Sequence, residues 1–334
     1  MVSDMPLILV TEPIADNGLR LLSTFGEVLT PWSEGRSFSD DDLHEASALI
    51  VRLVPVTASL IEKAGKLKVI GRHGAGLDTI DLSAATQKRI PVVYTPLANA
   101  NAVAEHTLHL ILSLSRHTVA GDQAVRQARF GLRDALLGFE LRNKTLGIVG
   151  LGAIGLRVAE IGYHGFGMKI VAYDPYAELS NSHRFVEVVR SLRQLLESSD
   201  VVSLHAPLTP GTRHMINAES LAWMRQSALL INTSRGGVID AIALAEALAN
   251  GKLAGAALDV FEREPLPLDH PLQSVPSVLF SPHLAGSTRE AREAMAELVA
   301  RQVVQVLRGE LPTHLANPQV LQTSPSPSLT VQDR

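Results

Sequence analysis

Residues 144–155 read KTLGIVGLGAIG, and residues 169–175 read KIVAYDP. In the first segment, the apolar run at residues 146–149 is too short for a helix, which predicts a buried parallel strand that leads directly into a glycine-rich turn. Apolar residues at near-helical spacing from Ile154 onward predict a helix. The second segment predicts another buried strand, which ends at Asp174. These two segments therefore predict a β-α-β unit, and the other segments can be placed relative to it.

The glycines of this turn, and the acid after the second strand, fit the binding of a dinucleotide. Gly150 permits the tight turn, Gly152 lets a pyrophosphate approach the backbone, and Gly155 lets the helix pack closely on the strand. The helix N-terminus offers N–H groups and a partial positive charge to phosphates. Asp174 follows Gly155 by 19 residues, near the ~20 expected of an acid that binds ribose hydroxyls, and its carboxylate favours NAD over NADP. The alternative is a glycine-rich turn followed by a chance aspartate.

Composition limits the class of protein and the kinds of site. With 334 residues, the chain is long enough for two domains of about 150 residues each. The net charge of −4 gives no electrostatic case for a nucleic-acid or anionic-membrane partner. The sequence has no cysteine, which excludes disulfides and cysteine-based metal sites, and no metal site is predicted. We see no signal peptide and no apolar run of ~18 residues, so a cytoplasmic protein is expected.

Strands and helices alternate along most of the chain, which predicts an α/β protein with two doubly wound parallel-sheet domains. A flavodoxin-like substrate domain is predicted from residues 1–101 and 287–318, because a long amphipathic helix near the end would cover the first sheet. A Rossmann NAD-binding domain is predicted from residues 102–286, beginning with one long helical stretch at residues 102–128. Residues 319–334 are rich in Ser and Pro and are expected to be disordered.

Three polar side chains follow predicted core strands at the same edge of the second sheet. Arg235 lies in NTSRGG, Glu264 in FEREP and His283 in SPHLAG. An arginine offers a planar fork for a carboxylate, and a histidine can give or take the proton that accompanies hydride transfer. A glutamate beside the histidine stabilises the imidazolium. This set suits reversible reduction of a 2-keto acid, although each residue alone could be a loop residue in an ion pair.

Several motifs resemble those of the D-isomer-specific 2-hydroxyacid dehydrogenases, over about residues 48–318. They are GLGAIG with YDP, HAPLT, NTSRGGVID, ALDVFEREP and SPHLAGST, and on the substrate side GRHGAGLDTIDL and NANAVAEH. The resemblance implies an NAD-dependent enzyme that transfers a hydride reversibly between NAD(H) and a 2-keto/2-hydroxy acid. It also implies the catalytic set Arg235, Glu264 and His283. The family's acid stands directly before the proline of EREP, so Glu264 is preferred to Glu262.

The resemblance also implies which residues bind the cofactor and the substrate. Together with the glycine-rich turn, the predicted NAD contacts are Gly150, Gly152, Ala153, Ile154, Gly155, Asp174, Pro175, Ala206, Pro207, Thr212, Thr233, Ser234, Arg235, Asp259, His283 and Gly286. The backbone N–H groups of Ala75 and Gly76 are expected to hold the substrate carboxylate, with Arg235 as its side-chain partner.

The identity of the substrate stays open. In the family's 3-phosphoglycerate dehydrogenases, arginines at strand ends hold the phosphate, and Arg52, Arg72 and Arg133 fall at corresponding positions, with Asn99 in a neighbouring loop. Arginine forks suit phosphate oxygens. An unphosphorylated or sulfonated hydroxyacid is the alternative. Formate is disfavoured, because the resembling formate dehydrogenases have Gln in place of Glu264.

Some relatives of this family are binding proteins and not chiefly enzymes. The C-terminal-binding transcriptional corepressors carry the same triad and act as NAD-sensing dimers that bind peptides, so such a binding protein is the alternative to an enzyme. A homodimer is expected in either case. Residues 102–128 and 130–139 are apolar on more than one side, and in the resembling family this region forms the subunit contact.

Overall fold

The computed structural model describes residues 5–177 and 183–321. The chain forms two compact units: unit 1 is Met1–Asn99 with Arg289–Arg334, and unit 2 is Ala100–Thr288. Unit 1 is therefore built from two separate parts of the chain, whereas unit 2 is continuous.

The first part of unit 1 alternates strands and helices. In chain order its elements are β1 (Leu7–Val10), α1 (Asp16–Ser23), β2 (Glu27–Leu29), α2 (Asp40–Glu45), β3 (Ala48–Val51), α3 (Ala58–Lys63), β4 (Val69–Arg72), α4 (Leu82–Gln87) and β5 (Val92–Tyr94). The strands pair in parallel in the order β2-β1-β3-β4-β5. This is the flavodoxin-like order. The fold class predicted for this part of the chain is confirmed.

Unit 2 is a second parallel α/β layer structure. Its elements are α5 (Ala100–Ser115), α6 (Thr118–Arg126), β6 (Thr145–Val149), α7 (Ala153–Phe166), β7 (Lys169–Tyr173), β8 (Val186–Val188), α8 (Leu192–Ser198), β9 (Val201–Leu204), α9 (Ala218–Ala222), β10 (Leu229–Asn232), α10 (Ala241–Ala249), β11 (Gly255–Leu258) and β12 (Val278–Phe280). The strand order is β12-β11-β10-β9-β6-β7-β8. This is the Rossmann order with one further strand, β12, at an edge, and the predicted Rossmann fold is confirmed.

The strand order of unit 2 reverses between β6 and β9, which pair in parallel with Val149 opposite Leu204. The connections that follow these two strands run in opposite directions across the sheet. They leave a crevice at the carboxyl ends of the strands, which is where such sheets bind ligands. The glycine-rich turn follows β6 at this point, and the His205 N–H donates to the Val149 carbonyl at 2.7 Å. The fold therefore places the predicted dinucleotide motif at the expected position of the sheet.

The chain returns to unit 1 through α11 (Arg289–Leu307), which covers one face of the five-stranded sheet. Val299 and Val303 are fully buried against Ile50 and neighbouring strand residues. A Cβ on Gly71 of β4 would lie 2.8 Å from Val303 and 2.9 Å from Val299, so glycine permits this close approach. Each fully buried valine of this kind contributes about 1.5–3 kcal/mol.

The prediction of a single helix over residues 102–128 is wrong, because α5 and α6 are separate helices. His117 lies between them in the left-handed region, with φ 51°, where an α-helix cannot continue. The Ser115 carbonyl instead accepts from the Phe139 N–H at 3.0 Å. A returning segment of chain therefore ends α5, and sequence periodicity carries no sign of such a contact.

Two other features bear on the sequence predictions. Of the predicted disordered tail, residues 322–334 lie outside the described part of the chain, and the residues before them complete a 3-10 helix, Pro318–Leu321. Within the described ranges, the structure contains no helix with the length and apolar character that crossing a bilayer requires.

Candidate active site

The glycine-rich turn has the geometry that a dinucleotide requires. Gly150 has φ 95°, and a Cβ on Gly155 would lie 2.0 Å from the Gly150 carbonyl oxygen, so only glycine fits either position. The space beside Gly152 is open to 4 Å. Gly152 is the N-cap of α7, and no described side chain caps this helix end. The backbone N–H groups of Ala153 and Ile154 therefore suit a phosphate.

The carboxylate of Asp174 is held at the end of β7, beside this turn. Its Oδ2 accepts from the Leu151 N–H and its Oδ1 from the Tyr176 N–H, both at 2.8 Å. Each carboxylate oxygen has a second lone pair, which can accept from a ribose hydroxyl. Pro175, which lies between Asp174 and Tyr176, is exposed. The acid is thus fixed in orientation while keeping acceptor capacity.

The loop after β9 borders the glycine-rich turn. A Cβ on Gly150 would meet the backbone of His205 and Ala206 within 2.9 Å. Further along, the hydroxyl of Thr212 donates to the Pro207 carbonyl at 2.6 Å, which closes the loop on itself. Burial lowers the pKa of His205 to about 3, so its imidazole is neutral at physiological pH.

The loop after β10 is fixed by a buried asparagine. Asn232 accepts from the N–H and hydroxyl of Ser234, at 3.0 and 2.8 Å, and donates to the Arg235 carbonyl at 2.9 Å. The hydroxyl of Thr233 bonds to that of Thr107 on α5 at 2.9 Å. Because Thr107 donates to a backbone carbonyl, Thr233 is the donor in this pair and keeps its lone pairs for another partner. The backbone that carries Arg235 is therefore anchored from both sides.

The structure pairs the predicted histidine with one of the two candidate acids. His283 Nδ1 lies 2.8 Å from Glu264 Oε2, and Glu264 Oε1 accepts from the Phe261 N–H at 3.0 Å. Glu262 instead forms an ion pair with Arg213 at 2.6 Å. The carboxylate that can orient the imidazole is that of Glu264.

A backbone contact joins the loop of Arg235 to the loop of Glu264. A Cβ on Gly236 would lie 1.9 Å from the carbonyl carbon of Phe261 and 2.2 Å from the Glu262 nitrogen. Only glycine lets the two backbones approach this closely. The loops after β10 and β11 therefore pack directly against each other.

The loop that carries His283 is built around the buried carboxylate of Asp259. This carboxylate accepts from the N–H groups of Leu284 and Ala285, at 2.8 and 2.9 Å, and from the Ser281 hydroxyl. Burial by itself would raise the pKa of Asp259, but the hydrogen bonds outweigh it and leave the pKa below its ordinary value. His283 sits in the left-handed region with φ 54°, and its own N–H donates to the Asp259 carbonyl at 2.8 Å.

In unit 1, two predicted arginines lie at the carboxyl ends of neighbouring strands, β3 and β4. The loop of Arg52 is held by the Glu12 carboxylate, which accepts from the Arg52 N–H at 2.6 Å. Arg72, at the end of β4, donates through Nε to the Gly76 carbonyl at 2.8 Å. This bond orders the segment that includes Ala75, the other residue predicted to hold the substrate carboxylate.

Positive charge gathers at this edge of unit 1. Burial, followed by the nearby charge of Arg292, lowers the pKa of Arg52, while Glu12 opposes this. Burial also lowers the pKa of His73 to about 4, and the charges of Arg52 and Arg72 add to the effect. The edge therefore holds three guanidinium groups around a neutral, buried imidazole, which favours an anion.

For three other predicted residues, the structure shows their surroundings but no contact with the candidate catalytic residues. The buried Oδ1 of Asn99 has no hydrogen-bond partner among the described residues. Gly286 lies in a turn closed by the Ser287 N–H and the Leu284 carbonyl at 2.7 Å. Arg133 is exposed on the 3-10 helix Phe130–Asp134 of unit 2. Contacts of all three with ligands stay predictions.

Comparison with known proteins identifies the family. Residues 108–285 match the model described as the NAD binding domain of D-isomer specific 2-hydroxyacid dehydrogenases. The chain belongs to this family. It is 43% identical, over 94% of its length, to a D-3-phosphoglycerate dehydrogenase of Methanocaldococcus jannaschii, of which it spans 60%. It is 41% identical, over 96% of its length, to a glyoxylate reductase of Thermofilum pendens, of which it spans 97%.

A solved structure supports the same family. A D-lactate dehydrogenase from Aquifex aeolicus, in complex with NAD and lactic acid, matches with a TM-score of 0.82 and 30% identity, over 93% of this chain and 99% of that one. The predicted family, oxidoreductase class and NAD cofactor are confirmed. The open cradle at Gly152 and the oriented carboxylate of Asp174 fit NAD. In the described ranges, no group of three or more His, Asp or Glu residues could hold a metal ion.

The sequence alone did not indicate several residues that shape the site. Asn232 and Ser281 fix the loops of Arg235 and His283, Glu12 fixes that of Arg52, and Arg292 adds charge beside it. His106 of α5 is a further such residue, because its Nε2 lies 3.1 Å from the Ser281 hydroxyl. Asn232 and Ser281 lie within the quoted motifs, which was a usable signal. The contacts of Glu12 and Arg292 join segments that are distant in the sequence, so no local motif indicated them.

Proposed function

We propose that this chain catalyses reversible hydride transfer between NAD(H) and a 2-keto/2-hydroxy acid. The observation that carries the proposal is the His283–Glu264 pair at 2.8 Å, on loops anchored beside that of Arg235. These loops lie at the carboxyl edge of the sheet whose switch point holds the glycine-rich turn. Such a pair provides a proton donor and acceptor next to a dinucleotide.

Three residues of unit 2 have separate roles in the proposed reaction. When held at the glycine-rich turn and Asp174, NAD would supply the acceptor for the hydride of the hydroxy acid's C2, and NADH would supply the hydride for the keto acid. His283 donates its Nδ1–H to Glu264, which leaves Nε2 to accept the hydroxyl proton as the C2–O bond becomes a carbonyl. In reduction, the same nitrogen returns the proton to the oxygen. Arg235 offers its guanidinium to the substrate carboxylate.

The substrate class we favour carries a second anionic group, as 3-phosphoglycerate does. Support comes from Arg52, Arg72 and Arg292 at one edge of unit 1. Arginine forks pair well with phosphate oxygens. The relative from Methanocaldococcus jannaschii is named for this substrate, but the chain spans 60% of it. Glyoxylate is the second candidate, because the relative named glyoxylate reductase matches over nearly its whole length.

A panel of keto acids separates these candidates. NADH oxidation would be followed with 3-phosphohydroxypyruvate, its sulfonate analogue, glyoxylate and pyruvate at equal concentrations. We expect the highest kcat/KM for an acid with a second anionic group, and Arg52→Gln should remove that advantage while leaving glyoxylate turnover similar. A wild-type preference for glyoxylate would overturn the substrate proposal. Turnover of none of the acids would overturn the enzymatic one.

Assembly and location complete the proposal. The relatives named above are enzymes, so the comparisons do not support the corepressor-like binding protein. We propose a homodimer that forms through residues 118–137, where Phe130 and Leu137 expose 69% and 84% of their surface to solvent. A cytoplasmic location is proposed on the sequence argument, with the small-molecule acid as the main partner.

A further inference from the structure

His106 of α5 lies against the loop that carries His283. Its Nε2 is 3.1 Å from the Ser281 hydroxyl oxygen and 3.5 Å from Asp259 Oδ1, and its side chain is 20% exposed. The neighbouring Thr107 contacts Thr233 in the same way. One helix therefore supports two loops of the candidate active site.

The direction of these hydrogen bonds follows from the number of protons. The Ser281 hydroxyl has a single proton, which it donates to Asp259. Toward His106, the Ser281 oxygen can therefore only accept, so His106 carries its proton on Nε2. The contact is thus directed from α5 through Ser281 to the carboxylate of Asp259.

That carboxylate controls the backbone on both sides of His283. It accepts from the N–H groups of Leu284 and Ala285, and the Asp259 carbonyl accepts from the His283 N–H. His283 has φ 54°, a left-handed conformation that costs a non-glycine residue about 1–3 kcal/mol and persists only where surrounding contacts enforce it.

We propose that His106 is a positioning residue for the reaction. Its Nε2–H holds the Ser281–Asp259 unit, and this unit keeps His283 in the strained conformation that directs Nδ1 toward Glu264. The inference rests on the proposed hydride transfer. His106 acts through Ser281 and Asp259, whereas His283 is the residue that exchanges the proton.

The test compares three substitutions on one helix. His106→Leu removes the donor, His106→Gln keeps an amide N–H near the place of Nε2, and His109→Leu changes an exposed histidine on the same helix whose ring centroid lies 5.8 Å away. We expect His106→Leu to lower kcat by ~10- to 100-fold, the usual effect of misplacing a reacting group. The KM for NADH should stay within about twofold, since only positioning in the transition state is lost. His106→Gln should restore most of kcat, and His109→Leu should behave as wild type.

A spectroscopic measurement makes the test independent of turnover. The ¹⁵N signals of the His283 ring in ligand-free protein report which nitrogen carries the proton. We expect the Nδ1–H tautomer to dominate in the wild type and in His106→Gln, and a mixture of tautomers in His106→Leu. If His106→Leu does not fold, Ser281→Ala, which removes the acceptor of the His106 proton, takes its place and should give the same mixture.

Two results would overturn the inference. One is equal loss of kcat in His106→Gln and His106→Leu, which would indicate a role in packing. The other is an unchanged His283 ring signal in His106→Leu or Ser281→Ala. If the wild type reduces none of the keto acids, the proposed function fails, but the ring signals still decide whether His106 positions His283.

Discussion

Glu264 and Glu262 stand two positions apart in FEREP, yet their side chains have different partners. Glu264 bonds to His283, and Glu262 bonds to Arg213. We predict that Glu264→Gln lowers kcat for keto-acid reduction on the order of 10²-fold, because the imidazole loses the charge that orients it. Glu262→Gln is the matched control, and it should leave kcat near the wild-type value. Steady-state kinetics would contradict the assignment if Glu262→Gln had the larger effect.

Also at the scale of single residues, we predict that the buried imidazole of His73 makes unit 1 sensitive to acid. Burial lowers its pKa from 6.5 to about 4, so the unfolded chain binds a proton that the folded chain does not bind between these values. The contribution of the neutral imidazole to the free energy of unfolding is fully present above pH 6.5 and is lost as the pH falls toward 4. A shift of this size corresponds to about 3 kcal/mol.

The test of this prediction is denaturant unfolding at several pH values between 7 and 4. His73→Leu should lose less free energy of unfolding over this range than the wild type, because it has no buried base to protonate. His109→Leu, which changes an exposed histidine, should follow the wild-type curve. Identical pH dependence in His73→Leu and the wild type would exclude this explanation of acid sensitivity.

At the scale of elements, the site depends on how closely the loops after β10 and β11 pack. Gly236 allows contact with the backbone of Phe261, and alanine there would place its Cβ 1.9 Å from a carbonyl carbon. We predict that Gly236→Ala costs about 1–3 kcal/mol of stability, as overpacking usually does, and lowers kcat by separating Arg235 from Glu264. Gly211→Ala, in an open loop position, should change neither. Thermal unfolding and kinetics of both variants test this.

At the scale of the whole molecule, residues 118–137 of unit 2 expose several apolar side chains to solvent. We predict a mass of twice 35.9 kDa by light scattering at micromolar concentration, because a second copy would cover Phe130 and Leu137. Leu137→Glu should shift the mass toward the monomer. Leu311→Glu, at a 71% exposed leucine of unit 1, should not. A wild-type mass of one chain would refute the dimer.

The sequence by itself determined the features that depend on local spacing. The strand, glycine-rich turn, helix and Asp174 lie within about thirty residues, and alternating apolar runs were enough for the two parallel sheets. The sequence indicated Arg235, Glu264 and His283 as candidates because each lies in a loop after a predicted core strand, and the family resemblance preferred Glu264 to Glu262. Parallel strands bring their carboxyl ends to one edge, so position in sequence already implied proximity.

Tertiary structure alone decided the features that depend on contacts between distant segments. The break between α5 and α6 follows from the return of Phe139 to Ser115, and the ion pair of Glu262 with Arg213 follows from packing between two loops. The link from His106 to Ser281 spans 175 positions. Hydrogen bonds of this kind are set by the distance and angle between atoms after packing, and periodicity and motif spacing encode neither.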